Sequence, residues 1–304
     1  MASPSKTVLI TGAGGFTGRH LRQHLQTAGW RVVGLDRGPA SSTDDLSADL
    51  ARPEQLRSAL EAVQPDCIVH LAAITFVPHG DPLEIYQTNL FGTLNLLDAI
   101  LATGLSPRKV LIASSANVYG NPPVEVIDET LCPAPVNHYA MSKLAMEHLA
   151  RTYQDRLPIL ITRPFNYTGP GQTEHFLIPK MVDHYRRQRP VIELGNLDVI
   201  RDFSDIRLVV EAYRRLLDSD VAGETVNICS GVGVALREII EKMDRIAGYA
   251  IEVQVNPALV RTNEIRRLIG DNQKLRRLVG ELPEYSIDDI LRSLYFPSTH
   301  TSSP

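Results

Sequence analysis

A doubly wound parallel α/β sheet with a smaller C-terminal α/β lobe is the fold that this 304-residue sequence predicts. Three observations predict it. Short apolar runs alternate with stretches of helical periodicity, the first run opens into a glycine-rich turn, and the second ends in an acidic residue. Strands that alternate with helices pair in parallel through crossovers, which buries both faces of the sheet.

Residues 8–10 form a short apolar run, Gly12-Ala13-Gly14-Gly15-Phe16-Thr17-Gly18 follows, and 16–27 has helical spacing, so the chain opens strand, turn, helix. Residues 31–35 read as a second strand ending in Asp36, and 67–71 and 109–113 are further β-rich runs. Between them, 83–101 repeats apolar residues at helical intervals, and 159–162 continues the strand series. After Arg163-Pro164 the pattern changes, with Pro and Gly clustered at Gly169-Pro170-Gly171. We therefore read 1–165 as the main sheet domain. Residues 198–229 are expected to return to it, because 205–217 reads as a helix and 225–229 as a strand. Residues 166–197 and 230–296 make the smaller lobe, with helices over 271–279 and 287–294, and 297–304 reads as a disordered tail.

The hydrophobic content of 43% and charged content of 22% are ordinary for a globular enzyme. A net charge of -4 gives no field to attract a polyanion, so neither nucleic acid nor a membrane surface is an expected partner. Cys67, Cys132 and Cys229 are far apart and in no metal-like spacing, which argues against a disulfide framework or a metal site and for a reducing cytoplasm. No stretch reaches the ~18 apolar residues of a membrane helix, and the first residues lack the apolar core of a signal peptide.

A glycine turn between strand and helix lets backbone approach a pyrophosphate and aims helix N-terminal amides at it. Gly12, Gly15 and Gly18, with Phe16 and Thr17 between them, have that spacing, although a tight turn alone also explains it. Position gives it weight. Asp36 stands at the end of the second strand, where a carboxylate can accept both hydroxyls of an adenosine ribose. The same carboxylate repels a 2′-phosphate and favours NAD(H), while Arg37 beside it can pair with that phosphate and leaves NADP(H) open. Asp49, Leu50, Leu71, Ala72 and Ala73 are expected to border the adenine and the second phosphate, though strand-end packing explains these small residues nearly as well.

Tyr139-Ala140-Met141-Ser142-Lys143, with Ser115 upstream, reads as an acid/base device. On one helix Tyr139 and Lys143 share a face roughly 5–6 Å apart. An ammonium there is expected to lower a phenol pKa from its usual value of about 10. The glycine turn says what the proton accompanies, a hydride moving to or from a nicotinamide.

At this point the residues resemble the extended short-chain dehydrogenase/reductases, in the nucleotide-sugar branch that includes 4-epimerases, 4,6-dehydratases and 4-ketosugar reductases. The resemblance runs from the glycine turn through His70-Leu71-Ala72-Ala73, Ser114-Ser115-Ala116-Asn117-Val118-Tyr119-Gly120 and Tyr139-x-x-x-Lys143. It continues through Arg163-Pro164-Phe165-Asn166 and Arg201-Asp202-Phe203 to Arg261-x-x-Glu264. It implies an NAD(P)-binding Rossmann domain over 1–165 and a substrate-binding lobe beyond it. By that resemblance Ser115 hydrogen-bonds the reacting sugar oxygen, Tyr139 passes the proton, and Lys143 holds the nicotinamide ribose, with Pro164 and Phe165 at the cofactor. Asn166, Arg201 and Arg261 would bind the sugar diphosphate, with Arg261 bidentate, and Glu264 would accept from a nucleoside ribose hydroxyl. Lys180 is either a further phosphate contact or a helix-end cation. Asn89 would support the catalytic segment. In relatives, two helices from each subunit form a four-helix bundle, which implies a homodimer here through Leu90, Leu94, Leu97 and Leu101 with Leu144, His148 and Leu149. Packing on the chain's own sheet explains those stripes equally.

Dehydratases of this family look for an extra acid and base at the two positions after the catalytic hydroxyl, and here Ala116 and Asn117 carry no titratable proton. A combined epimerase/reductase needs an ionisable residue at position 117, which Asn117 is not. What remains is hydride chemistry at C4. Residues 163–172 and 261–271 look like those of enzymes that handle GDP-mannose derivatives, and the pattern is most similar to reductases that turn GDP-6-deoxy-4-keto-D-mannose into GDP-D-rhamnose. The expectation is an NAD(P)H-dependent reductase of a 4-keto-6-deoxy sugar nucleotide, with a GDP-sugar favoured. The alternative is an NAD-dependent nucleotide-sugar 4-epimerase, which shares every catalytic residue. A third reading, a non-catalytic nicotinamide sensor, sits poorly with an intact Tyr139 and Lys143.

Overall fold

The computed structural model describes residues 6–38, 42–75, 81–260 and 265–296. The first part of the chain builds β1 (Thr7–Thr11), α1 (Phe16–Thr27), β2 (Arg31–Asp36), β3 (Leu46–Ser47), α2 (Pro53–Val63), β4 (Cys67–His70), α3 (Pro82–Tyr86), α4 (Gly92–Ala102), β5 (Lys109–Ala113), α5 (His138–Arg151) and β6 (Ile159–Pro164). There follow β7 (Asn166–Thr168), α6 (Leu177–Arg186), β8 (Val191–Leu194), β9 (Ile200–Asp205), α7 (Ile206–Asp218), β10 (Thr225–Ile228) and β11 (Gly233–Ala235). The chain ends with α8 (Leu236–Ala247), β12 (Glu252–Val255), β13 (Arg267–Leu268), α9 (Gln273–Val279) and α10 (Ile287–Tyr295).

Among the described residues the main sheet has seven strands in the order β10-β6-β5-β4-β1-β2-β3, each pair parallel. β1 is buried along its whole length because both faces are covered. On one face α1 and α7 pack Leu21, Leu25, Val209 and Tyr213 against Val8 and Ile10. On the other, α2, α4 and α5 bring Leu56, Leu60, Leu96 and Met146 onto Leu9 and Ile68. Each such side chain contributes about 1.5–3 kcal/mol through burial. The strand order reverses between β1 and β4, and the crevice at their carboxyl ends is where such sheets hold ligands. Register places Thr11 opposite both Leu35 and His70, so the glycine turn emerges beside the ends of β2 and β4.

The apolar stretch 83–101 is helical but not a single α-helix. A π-helical turn over Gln87–Phe91 joins α3 to α4 and buries Asn89 completely. One extra residue per turn rotates the helix face, a device that recurs at functional sites.

A second sheet, β11-β9-β13 with β7 also on β9, and a parallel β8–β12 pair lie over a core of Ile178, Met181, Tyr185, Met243, Ile290 and Leu291. Within 198–229, α7 packs against α1 and β10 pairs with β6, whereas β9 belongs to the second sheet. The tail at 297–304 lies outside the described residues.

Candidate active site

A cavity of about 1210 Å³ runs along the carboxyl ends of β1, β4, β5 and β6 and under the second sheet. That exceeds the ~300–1,000 Å³ of a site for one small ligand. The glycine turn forms one end. Gly12 has φ of +72°, and a Cβ there would sit 2.7 Å from the Ala72 nitrogen, while one on Gly18 would collide with the carbonyl oxygen of Gly12. Gly15 precedes α1 with no side-chain cap, so the first amides of that helix are left for another acceptor. Asp36 accepts from the Gly14 amide at 2.9 Å at the rim, with Arg37 next to it. Asp49, Leu50, Leu71, Ala72 and Ala73 line the same end. This cradle, which a Cβ would fill and where an uncapped helix start faces a carboxylate, fits a dinucleotide.

Ser115, Tyr139 and Lys143 converge on the middle of the cavity. Ser115 follows β5 and accepts from the Asn117 amide at 3.2 Å, starting a short 3₁₀ turn that also turns Asn117 to the cavity. Tyr139 and Lys143 occupy one face of α5, whose start is capped by the Asn137 side chain on the Ala140 amide at 2.8 Å. Tyr139 is hydrogen-bonded to Ser115, and Lys143 donates to the Ala113 carbonyl at 2.8 Å. The electrostatics differ from the expectation that Lys143 lowers the phenol. Burial dominates: it pushes Tyr139 up to about 12, against a smaller pull from the Ser115 bond. Burial also brings Lys143 down to about 8, partly offset by Glu147 one turn further along α5. At neutral pH the phenol therefore carries its proton.

Pro164, Phe165, Asn166, Lys180 and Arg201 line the remaining wall. Asn166 carries a buried Nδ2 with no hydrogen-bond partner among the described residues, a donor that needs an acceptor. Arg201 projects from the middle strand of the second sheet and donates to the Ile200 carbonyl at 3.0 Å and that of Arg266 at 3.3 Å. Lys180 donates to the Glu193 carbonyl at 2.8 Å. Arg261 and Glu264 lie outside the described residues.

Several lining residues were not assigned a role from the sequence. Arg19 bridges the glycine turn to the loop after β7, donating to the Gly14 carbonyl at 2.7 Å and the Gly171 carbonyl at 3.2 Å. Tyr167, whose hydroxyl pairs with Thr17 at 2.8 Å, follows directly on Asn166 in the sequence, and that adjacency was the available cue. Gln87, Thr88 and Asn196 enter only through tertiary packing. Among the described residues no helix is long and apolar enough to cross a membrane.

Comparison with known proteins matches residues 9–294 to the family described as GDP-mannose 4,6 dehydratase. The GDP-6-deoxy-D-talose 4-dehydrogenase of Aggregatibacter actinomycetemcomitans is 38% identical over 290 residues, covering 95% of this chain and 96% of that protein. The GDP-6-deoxy-D-mannose reductase of Pseudomonas aeruginosa is 37% identical over 303 residues, with 95% and 96% covered. Among solved structures, a candidate epimerase from Burkholderia cenocepacia J2315 is 47% identical with a TM-score of 0.90, covering 96% of this chain and 97% of that one. The Pseudomonas aeruginosa RMD complexed with NADPH is 35% identical with a TM-score of 0.85, covering 96% and 98%.

Proposed function

The chain belongs to the GDP-mannose 4,6 dehydratase family, and from that premise we propose that it is an NAD(P)H-dependent reductase acting at C4 of a GDP-linked 4-keto-6-deoxyhexose. The observation that carries this reading is the meeting of Ser115, Tyr139 and Lys143 in a cavity with room for two ligands, beside Ala116 and Asn117, which have no proton to move. Two relatives at nearly equal identity point to the same ketone: 6-deoxytalose and 6-deoxymannose differ only at C4, so a 4-keto sugar is the form the two share.

The glycine turn, Asp36 and Lys143 would hold a nicotinamide dinucleotide, and the chemistry such a group would supply is a hydride for C4. Tyr139, protonated at neutral pH, gives its proton to the C4 oxygen as negative charge builds there, and Ser115 orients that oxygen. Lys143 stabilises the resulting phenolate. Asn166 and Arg201 would hold the diphosphate; the roles that the family resemblance gives Arg261, at the same diphosphate, and Glu264, at the nucleoside ribose, fall on residues outside those described. Arg201 is suited to a phosphate because its planar fork offers paired donors. The division of labour is that of the sequence reading, with 1–165 and the returning part of 198–229 carrying the dinucleotide and the rest covering the sugar nucleotide.

Leu90, Leu94, Leu97, Leu101 and Leu149 pack into the chain's own sheet core and Leu144 against another cluster, so those stripes are used internally. The exposed Phe91 and Met141 on neighbouring helices are what supports a homodimer, and three free cysteines suit a reducing cytoplasm. Asp36 favours NADH, although Arg37 leaves NADPH open.

The test is incubation of the purified protein with GDP-6-deoxy-4-keto-D-mannose and each reduced nicotinamide. Consumption of reduced cofactor with formation of GDP-D-rhamnose supports the reading, and GDP-6-deoxy-D-talose as product keeps the reaction but reverses the face. Interconversion of two sugar nucleotides with no added reductant would establish the 4-epimerase instead.

A further inference from the structure

Residues 71–74 form the cavity wall after β4 without regular secondary structure, yet they are pinned at both ends. Thr11 Oγ1 accepts from the Ala72 amide at 3.3 Å. Asn89 Oδ1 accepts from the Ile74 amide at 2.8 Å, and its Nδ2 donates to the Ile74 carbonyl at 3.1 Å and to Ser142 Oγ at 3.0 Å. Ser142 stands between Tyr139 and Lys143 and donates to the Tyr139 carbonyl at 2.8 Å.

The two pins meet at His70, which is 2% exposed. Its Nδ1 lies 2.7 Å from Thr11 Oγ1 and its Nε2 lies 2.9 Å from Thr93 Oγ1. Thr93 donates its only hydroxyl proton to the Asn89 carbonyl at 2.7 Å. Its oxygen must therefore accept from His70, which puts the ring proton on Nε2 and leaves Nδ1 bare to accept from Thr11. Every donor then has one acceptor, and the bonds run in one direction from Thr11 through His70 and Thr93 to the backbone of Asn89. A second ring proton would face the Thr11 oxygen and break the Thr11-to-His70 bond as it is arranged. Burial, with the Lys143 charge adding to it, accordingly holds His70 down at about 3.

We propose that His70, as the neutral Nε2–H tautomer, is a positioning residue that keeps the 71–74 wall in register with the helix bearing Tyr139 and Lys143, and so aligns a bound dinucleotide with the proton donor. This rests on the dinucleotide reading of the glycine turn. His70 touches neither ligand in that account. It acts through Thr11 on the side of the glycine turn and through Thr93 and Asn89 on the side of α5.

Two readouts test it. In protein labelled with ¹⁵N-histidine, His70 should show a protonated Nε2 and a bare Nδ1 unchanged from about pH 5 to 9. A proton on Nδ1, or titration within that range, overturns the proposal. Thr11→Val and Thr93→Val keep shape and remove one side of the relay each. Each should weaken dinucleotide binding, measured by fluorescence without any sugar, and lower kcat, both by about tenfold, and the double variant should lose little more than either single one. His70→Gln, whose amide can still donate to Thr93, should regain part of kcat relative to His70→Leu. Fully additive losses, or singles that bind dinucleotide like the parent protein, overturn it. A parent protein that binds dinucleotide but turns over no sugar nucleotide defeats the reductase reading alone, whereas one that binds no dinucleotide defeats both.

Discussion

Arg163 donates from Nε and Nη2 to the two carboxylate oxygens of Glu147, at 2.9 and 2.6 Å, with both side chains shut off from solvent. The fork bolts α5, one turn beyond Lys143, to β6, and the Tyr119 ring lies 4.7 Å from the guanidinium carbon on the other side. Removing Arg163 leaves the buried Glu147 carboxylate with, among the described residues, only the looser contact to the partly exposed Arg151, 3.6 Å away. Arg163→Met should therefore lose about 3–5 kcal/mol of unfolding free energy. Adding Glu147→Leu should restore much of that loss, and urea titration of the two variants measures both.

Tyr139→Phe keeps the ring that fills the α5 face and removes the proton. Turnover should fall by about 10²–10⁴-fold. Dinucleotide binding, followed by fluorescence, should stay near that of the parent protein, whereas a nicotinamide sensor would be indifferent to the change altogether.

Lys143 loses its charge as pH rises through about 8, so kcat should decline on the alkaline side with an apparent midpoint near that value. Lys143→Arg, which stays charged, should remove that limb from whatever activity it retains. Stability moves the other way. Between about 8 and the ordinary 10.5 the unfolded chain binds more protons than the folded one, so this residue makes the protein more stable as pH rises across that window.

His70 makes a matching prediction in acid. With a folded value of about 3 against an ordinary 6.5, the unfolded state takes up the proton first as pH falls, and stability is lost progressively across that interval. The urea midpoint of the parent protein should fall more steeply between pH 6.5 and 5 than that of His70→Gln. Equal slopes would mean that His70 is not held neutral.

Gly18→Ala would drive a methyl into the Gly12 carbonyl and the Ala13 backbone, none of which is a flexible side-chain end. The turn must open, which should cost about 1–3 kcal/mol in stability. Dinucleotide binding should weaken even in the fraction that folds, and calorimetry on the variant reads both.

Much of the cofactor half was legible because its signals are local. The helix over Phe16–Thr27 and the strand at Lys109–Ala113 follow from periodicity within a dozen residues, and the i, i+4 spacing of Tyr139 and Lys143 is set by helix geometry once α5 forms. The second sheet was not legible. β13 is two residues long and pairs with β9 67 positions earlier in the chain, so nothing in either segment announces the other.

The sequence by itself determined the order of strand, glycine turn and acid that a dinucleotide cradle requires, the residue types able to move a proton, and the absence of an acid at 116 and 117, since chemistry of this kind resides in residue identity and short spacing. Tertiary structure alone decided the protonation of the site. A phenol raised to about 12, a lysine lowered to about 8 and a histidine locked in one tautomer all follow from burial and from partners contributed by distant strands and helices, and desolvation is a property of the packed molecule.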